Sequence, residues 1–306
     1  ELFNFGIDMV PRPMLRCYRV DPSGRMSHIG KVDLAEPVFN HDFALTEKHM
    51  VFVIDPIGIA KRSLPEVLLG IKSYDQALRF DGSQGTTIAL VPRDGGTARV
   101  LQTEALMHFH VNNAYEDGGD TVVDLVRWDR SWEDFNESLR SYRPEDADAR
   151  GDWEFGGYLM RLRITAGGRV LREQLSDTPG EFPQFDWRLG CREHRYSYMA
   201  AREGHAEEAN AVAKIDHRTG EERLHVLPDA HAVSEPIFVP RDADAEEDDG
   251  WLLAVAYDGT THRSRLLVLD AADPRRDPVF TGHLRHHVPQ SFHGTFVRRV
   301  ARSSIA

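Results

Sequence analysis

Apolar and polar positions along this chain change over in short bursts rather than in helical stripes. The runs "HMVFVID" (49–55), "TTIALVP" (86–92), "TVVDLVRW" (121–128), "YLMRLRIT" (158–165), "RVLREQL" (169–175), "RYSYMAA" (195–201), "GWLLAVAY" (250–257) and "SRLLVLD" (264–270) carry most of the Val, Ile, Leu and Tyr clusters. Their lengths and branched side chains predict strands. Turn signatures lie between them at Asp21-Pro22-Ser23-Gly24, at Ala166-Gly167-Gly168 and from Asp216 to Gly220. Each joins two strand-like runs, so each predicts a hairpin in which Gly supplies the positive φ. Helix signals are few. Ser131 to Asp134 resembles a capping box and predicts a helix to about Arg140, and residues 65–78 hold one or two helical turns.

Many antiparallel hairpins with few helices leave a sandwich, a barrel or a propeller. The chain has no linker-like break over its 306 residues, which predicts one domain over 1–306. A propeller holds this many short strands most easily. At roughly 40–50 residues per blade the length suits about six or seven blades, although no crisp repeat is visible.

Composition narrows the partners. The formal net charge is −12 and no basic cluster is dense enough to track phosphates, which argues against nucleic acid. The acidic stretch from Asp242 to Asp249 reads as a solvated loop. Cys17 and Cys191 are isolated, so disulfides and thiolate metal sites gain no support and a cytoplasmic location is expected. No apolar run has transmembrane length.

Fifteen histidines are present, and most read as surface or hydrogen-bonded core residues. Three stand beside aromatics at the end of an apolar run: His41 in "PVFNHDFALTE", His110 in "LMHFHVNNAYED" and His293 in "VPQSFHGTF". Their wide separation excludes a local motif such as HExxH and suits a site to which separate blades each give one side chain. Neutral imidazoles leave the full charge on a metal ion, and Zn, Cu, Ni and Fe all accept them. A ligating His also wants its second nitrogen held by a carboxylate or carbonyl. Glu181 in "GEFPQFD" and Glu235 in "SEPIFVP" head apolar runs where a bare carboxylate would be costly. Each reads equally well as a strand-start acid at a loop edge.

The ordered segments "HDFALTE", "FHVNNAYEDGGDTVVDLVRW", "EFPQFD", "SEPIFVPR" and "VPQSFHGTF" resemble the carotenoid cleavage oxygenase family, which includes the lignostilbene dioxygenases. The resemblance covers most of the chain. It implies an all-β, seven-bladed β-propeller with a non-haem Fe(II) on its axis, held by four histidines. Matched residue by residue, it implies His41, His110 and His293 as metal ligands, with Glu181 and Glu235 orienting imidazoles. His108 then falls out of register as a neighbouring strand residue. In the family an upstream segment supplies the first ligand before a turn like "DPxTGEL", and this chain begins at "ELFNFG". The expectation is therefore a chain lacking the first blades and the fourth histidine.

The function implied is cleavage of a conjugated C=C bond of a carotenoid, apocarotenoid or stilbene by O2, giving two carbonyl products. Phe109, Phe292 and Phe296 are candidates to line an apolar tunnel, although plain core packing is the expectation for any one of them. The partners implied are a small apolar conjugated substrate and O2, with contact to a membrane surface as a further candidate. Two alternatives accompany this reading: a truncated, non-catalytic propeller used as a binding scaffold, and a non-redox isomerase of the same family.

Overall fold

A computed structural model of the chain describes residues 1–140, 155–289 and 292–298; positions 290 and 291 of the "VPQSFHGTF" segment lie outside them. The described residues fall into two compact units. One comprises 1–140, 157–177 and 188–193, the other 155–156, 178–187, 194–289 and 292–298.

The first unit is built from antiparallel sheets. Strands β1 (Leu2–Asp8), β2 (Met14–Val20) and β3 (Met26–Asp33) form one sheet. A second runs in the order β4 (Ala44–Leu45), β5 (His49–Ile54), β8 (Thr86–Pro92) and β9 (Arg99–Thr103). Between β5 and β8 the chain makes an excursion through β6 (Ile57–Ile59), α1 (Leu64–Leu68), α2 (Tyr74–Ala77) and β7 (Leu78–Phe80). A third sheet is the meander β10 (His108–Asp117), β11 (Asp120–Arg127), β12 (Tyr158–Ile164) and β13 (Val170–Gln174), with α3 (Trp132–Arg140) after β11.

Burial explains the unbroken apolar runs. Strand side chains point alternately to opposite faces. Met50, Phe52 and Ile54 of β5 enter a core with Leu15, Cys17 and Val32. Val51 and Val53 enter a different core with Leu90, Leu125 and Leu162. Strand β8 divides in the same way, Ala89 and Val91 to the first core and Ile88 and Leu90 to the second. A sheet covered on both faces selects apolar residues at every position, so these strands show no alternation.

The second unit holds the meander β14 (Gly180–Gln184), β15 (Tyr196–Ala201), β16 (Ala211–Asp216) and β17 (Glu222–Val226). Its other sheet contains β18 (His231–Val233), β19 (Ile237–Pro240), β20 (Gly250–Asp258), β21 (Arg263–Asp270) and β22 (Phe280–His283). Their shared core includes Tyr198, Val212, Phe238, Leu252 and Leu269. These sheets of sequentially paired antiparallel strands are of the propeller-blade type.

All eight apolar runs form strands, and the three turn signatures close β2–β3, β12–β13 and β16–β17. The cap of α3 is as expected: the Asp134 N–H donates to Ser131 Oγ (3.2 Å) and the Ser131 N–H to the Asp134 carboxylate (3.2 Å). The acidic stretch departs from a plain solvated loop. Glu247 Oε1 accepts the N–H groups of Arg195 (2.6 Å) and Tyr196 (2.7 Å), and Asp248 holds the buried Lys214 ammonium at 2.5 Å. Backbone donors at the start of β15 and an ammonium inside the unit draw two of the six acids of this run onto the protein. Charge alternation along the sequence does not reveal such partners.

Candidate metal centre

In the first unit, His41 lies in the loop before β4, and His110 is the third residue of β10. The register of β10 against β11 slips on both sides of Val111, so Phe109 and His110 sit in an irregular stretch of the ladder. Bulges of this kind re-aim side chains. The two imidazoles are neighbours, with ring centroids 5.0 Å apart and planes at 82°. A nitrogen of each lies within 4.8 Å of one on the other. His41 stacks on Phe39 (6.0 Å, 25°) and meets the edge of Phe109 (6.0 Å, 87°). Phe109 in turn packs on Phe135 and Trp128, so an aromatic wall flanks the pair.

In the second unit, His293 Nδ1 lies 3.2 Å from Glu235 Oε1. With the ring N–H directed to that carboxylate, Nε2 is the nitrogen that could ligate a metal. Glu235 is 6% exposed and takes two more donors: Gln184 Nε2 at 2.6 Å on Oε1 and the Gly294 N–H at 2.8 Å on Oε2. Gln184 is itself oriented by the Trp187 indole, which donates to its Oε1 at 2.9 Å. His293 also meets the edge of Phe182 at 5.6 Å. A cavity of about 210 Å³ beside it is lined by Ile237, Leu253, Leu266, Phe292 and Phe296 with Glu235.

Glu181 is 2% exposed, and its Oε2 accepts the Phe182 N–H at 2.6 Å. Phe182 has φ 57, and β14 slips register against β15 between Glu181 and Gln184. A bulky residue at positive φ is uncommon and costs energy, and such positions cluster at functional sites. The approach that sets this strand needs Gly180, where a Cβ would sit 2.6 Å from the Ala200 carbonyl oxygen.

The structure therefore brings His41 to His110, and His293 to Glu235. Phe292 and Phe296 are 75% and 45% exposed, so core packing does not describe them; they line the His293 cavity instead. His108 is more than a bystander. Its Nδ1 lies 2.8 Å from Asp55 Oδ2 and its backbone N–H donates to the same oxygen at 2.7 Å, in a pair of which both members are buried. Three further features escaped sequence reasoning. Gln184 and Trp187 lack any motif of their own. Glu116, within "NNAYED", accepts from Thr46 (2.7 Å) and faces His49 Nδ1 (2.9 Å). Burial pushes its carboxyl up, but these hydrogen bonds and His49 outweigh that and hold it below the usual carboxylate value. In the second unit, His194 and His217 converge on the Ser197 hydroxyl at 3.3 and 2.8 Å. They flank β15 and β16, and the pairing of Tyr196 with Asp216 brings those strand ends together.

Blade-type sheets with imidazoles set beside one another and beside a buried carboxylate define an all-β, propeller-type protein with candidate metal ligands. The model of the RPE65 family (Retinal pigment epithelial membrane protein) matches residues 1–298, and the chain belongs to this family, that of the carotenoid oxygenases. It is 31% identical over 96% of its length to apocarotenoid-15,15'-oxygenase of Synechocystis, covering 59% of that protein. It is 30% identical over 94% of its length to isoeugenol monooxygenase of Pseudomonas nitroreducens, covering 60% of that protein. Against the crystal structure of cobalt-substituted Synechocystis ACO the TM-score is 0.82 at 29% identity, over 96% of this chain and 60% of that one. The chain thus spans about 60% of the length of these relatives. Among the described residues no helix is long and apolar enough to cross a membrane.

Proposed function

We propose that the protein of which this chain forms at least a part is a non-haem Fe(II) dioxygenase that cleaves a conjugated C=C bond of an apolar substrate into two carbonyl products. The observation that carries this reading is the His293–Glu235 contact, together with the His41–His110 pair. In this reading His41, His110 and His293 are metal ligands. The donor chemistry suits it: neutral imidazoles, at least one with its proton fixed on Nδ1 by a buried carboxylate. Bound iron would supply O2 activation. Glu235 holds the His293 tautomer, and Glu181, next to Phe182 at positive φ, is assigned the same task for a second imidazole. The aromatic wall of Phe39, Phe109 and Phe135 and the apolar cavity at His293 would align an alkene and keep water from it.

Named relatives support the substrate class. One is named an apocarotenoid-15,15'-oxygenase and another an isoeugenol monooxygenase. Delivery of such a substrate suits the excursion after β5. Leu68, Leu69 and Ile71 there are 60%, 75% and 73% exposed, and Lys72, next to Ile71, is paired with Glu66 at 3.2 Å. We read this apolar face as a contact for a lipid surface.

The test loads the protein with Fe(II) and supplies an apocarotenal or a hydroxystilbene under ¹⁸O2. Labelled carbonyl products are expected from one of them, and they should vanish in His110→Ala. Stoichiometric iron without product from any conjugated alkene would overturn the reading and leave a binding scaffold.

A further inference from the structure

Asp42 follows His41 directly, and its side chain reaches the residue that follows His110. Its Oδ1 accepts the Phe43 N–H at 2.8 Å, within its own turn. Its Oδ2 accepts the Val111 N–H at 2.9 Å, in strand β10. The Asn40 side-chain amide donates to the Asp42 carbonyl at 2.8 Å and closes the loop on the other side of His41. Val111 lies between the two register slips of β10, where ladder hydrogen bonds are lost and an N–H needs another acceptor. A carboxylate is the strongest acceptor a side chain offers such a group.

We propose that Asp42 is a positioning residue that sets the separation of the His41 and His110 imidazoles by clamping the neighbour of one ligand to the neighbour of the other. The inference rests on the reading that these two imidazoles serve one metal ion. One carboxylate spans the two segments with an oxygen for each, so neither ring shifts along its own segment without breaking a hydrogen bond to Asp42. An asparagine cannot replace it. It has a single acceptor oxygen, and its amide NH2 would face the N–H of either Phe43 or Val111.

Three variants of the whole chain test this: Asp42→Asn, His41→Ala and the double variant. Co(II) is the probe, because its visible absorption reports ligand geometry. Its affinity is read by competition with a chromophoric chelator, and amide exchange of Val111 is followed in metal-free protein. Asp42→Asn should speed Val111 exchange, alter the Co(II) spectrum and weaken Co(II) binding about 10–100-fold, the usual effect of losing a residue that orients ligands. In the His41→Ala background the same change should cost less than about threefold, because coupled residues are not additive. A role in folding alone would lower the melting temperature and leave Co(II) affinity and spectrum unchanged, and that outcome overturns the proposal. So does a full tenfold effect in the His41→Ala background. Should Asp42→Asn fail to fold, Asp42→Glu keeps the charge but lengthens the clamp, and an unaltered Co(II) spectrum there overturns the proposal equally. If His41→Ala binds Co(II) as tightly as the parent, the shared-ion reading itself has failed, and this single result separates the two failures.

Discussion

Replacing Glu235 by Gln changes almost no volume but upsets a fully used acceptor. The carboxylate takes the His293 ring N–H (3.2 Å), the Gln184 amide (2.6 Å) and the Gly294 N–H (2.8 Å), with both oxygens engaged. A glutamine has one oxygen. If that oxygen faces Gly294, the new NH2 meets Gln184 Nε2 and His293 Nδ1. The imidazole then relaxes only by moving its proton to Nε2, which removes the lone pair a metal needs. If the oxygen faces His293, the NH2 confronts the Gly294 N–H, donor against donor, on the residue next to the ligand. Trp187 blocks the escape of flipping Gln184, because its indole already donates to Gln184 Oε1. Losing a hydrogen bond to a charged group costs about 1.5–3 kcal/mol. Since about 1.4 kcal/mol is tenfold in affinity, metal binding should weaken about 10–100-fold, in line with other residues that orient metal ligands. The assay is Co(II) or Fe(II) competition against a chelator, beside a thermal melt of metal-free protein. Metal affinity within about threefold of the parent, in a variant that melts normally, would refute the tautomer argument.

Other perturbations probe the scaffold. Asp124 is fully buried and accepts two bonds of 2.8 Å from the Arg161 guanidinium; burial lowers the guanidinium pKa, but these bonds to Asp124 outweigh it and hold it above its ordinary value. Asp124→Ala should destabilise the first unit by about 3–5 kcal/mol, because it strands a buried cation, and Asp124→Leu with Arg161→Met should recover most of it in a urea melt. Burial, followed by the charges of Asp186 and Asp248, pushes the Glu247 carboxyl above 4.5 despite its backbone donors. A carboxyl raised in the folded state gives stability that is present below 4.5 and lost as pH climbs through the folded value. The melting temperature of Glu247→Gln relative to the parent should therefore be higher at pH 7 than at pH 4; no change in that difference would refute the assignment. Burial also pushes the Cys17 thiol up to about 12, and its side chain is 0% exposed. A thiol reagent at pH 8 should therefore label Cys191 alone in native protein and both cysteines in denaturant, as mass spectrometry would show.

The sequence was informative wherever one physical constraint dominates. Strand β5 is apolar at every buried position because two different cores claim its two faces. Hairpins were legible because glycine tolerates their backbone most readily, as at Gly24, Gly168 and Gly220 (φ 84, 89 and 71). The acids at 247 and 248 were not, because their partners, the start of β15 and Lys214, come from elsewhere in the chain. The core reading of Phe292 and Phe296 failed for a similar reason. An aromatic run predicts burial in general, and these two line an open cavity beside His293.

His110 and Glu181 share one backbone trait that sequence pattern does not show. His110 lies in a stretch of β10 whose ladder slips twice within a few residues. Glu181 opens a slip in β14 that includes Phe182 at positive φ. A regular strand turns every second side chain to the same face, so a regular register would have grouped His108 with His110. The bulge breaks that equivalence. His108 goes to Asp55 in the interior while His110 goes to His41. Each slip leaves backbone donors without ladder partners, and in both places carboxylates take them: Asp55 for His108, Asp42 for Val111, Glu181 for Phe182. Asp55 therefore does two physical jobs at once, holding an irregular backbone and an imidazole, and the proposals give Asp42 and Glu181 the same double task. Removing such an acid should for that reason change metal affinity and local amide exchange together, whereas removing a ligand imidazole should change affinity alone.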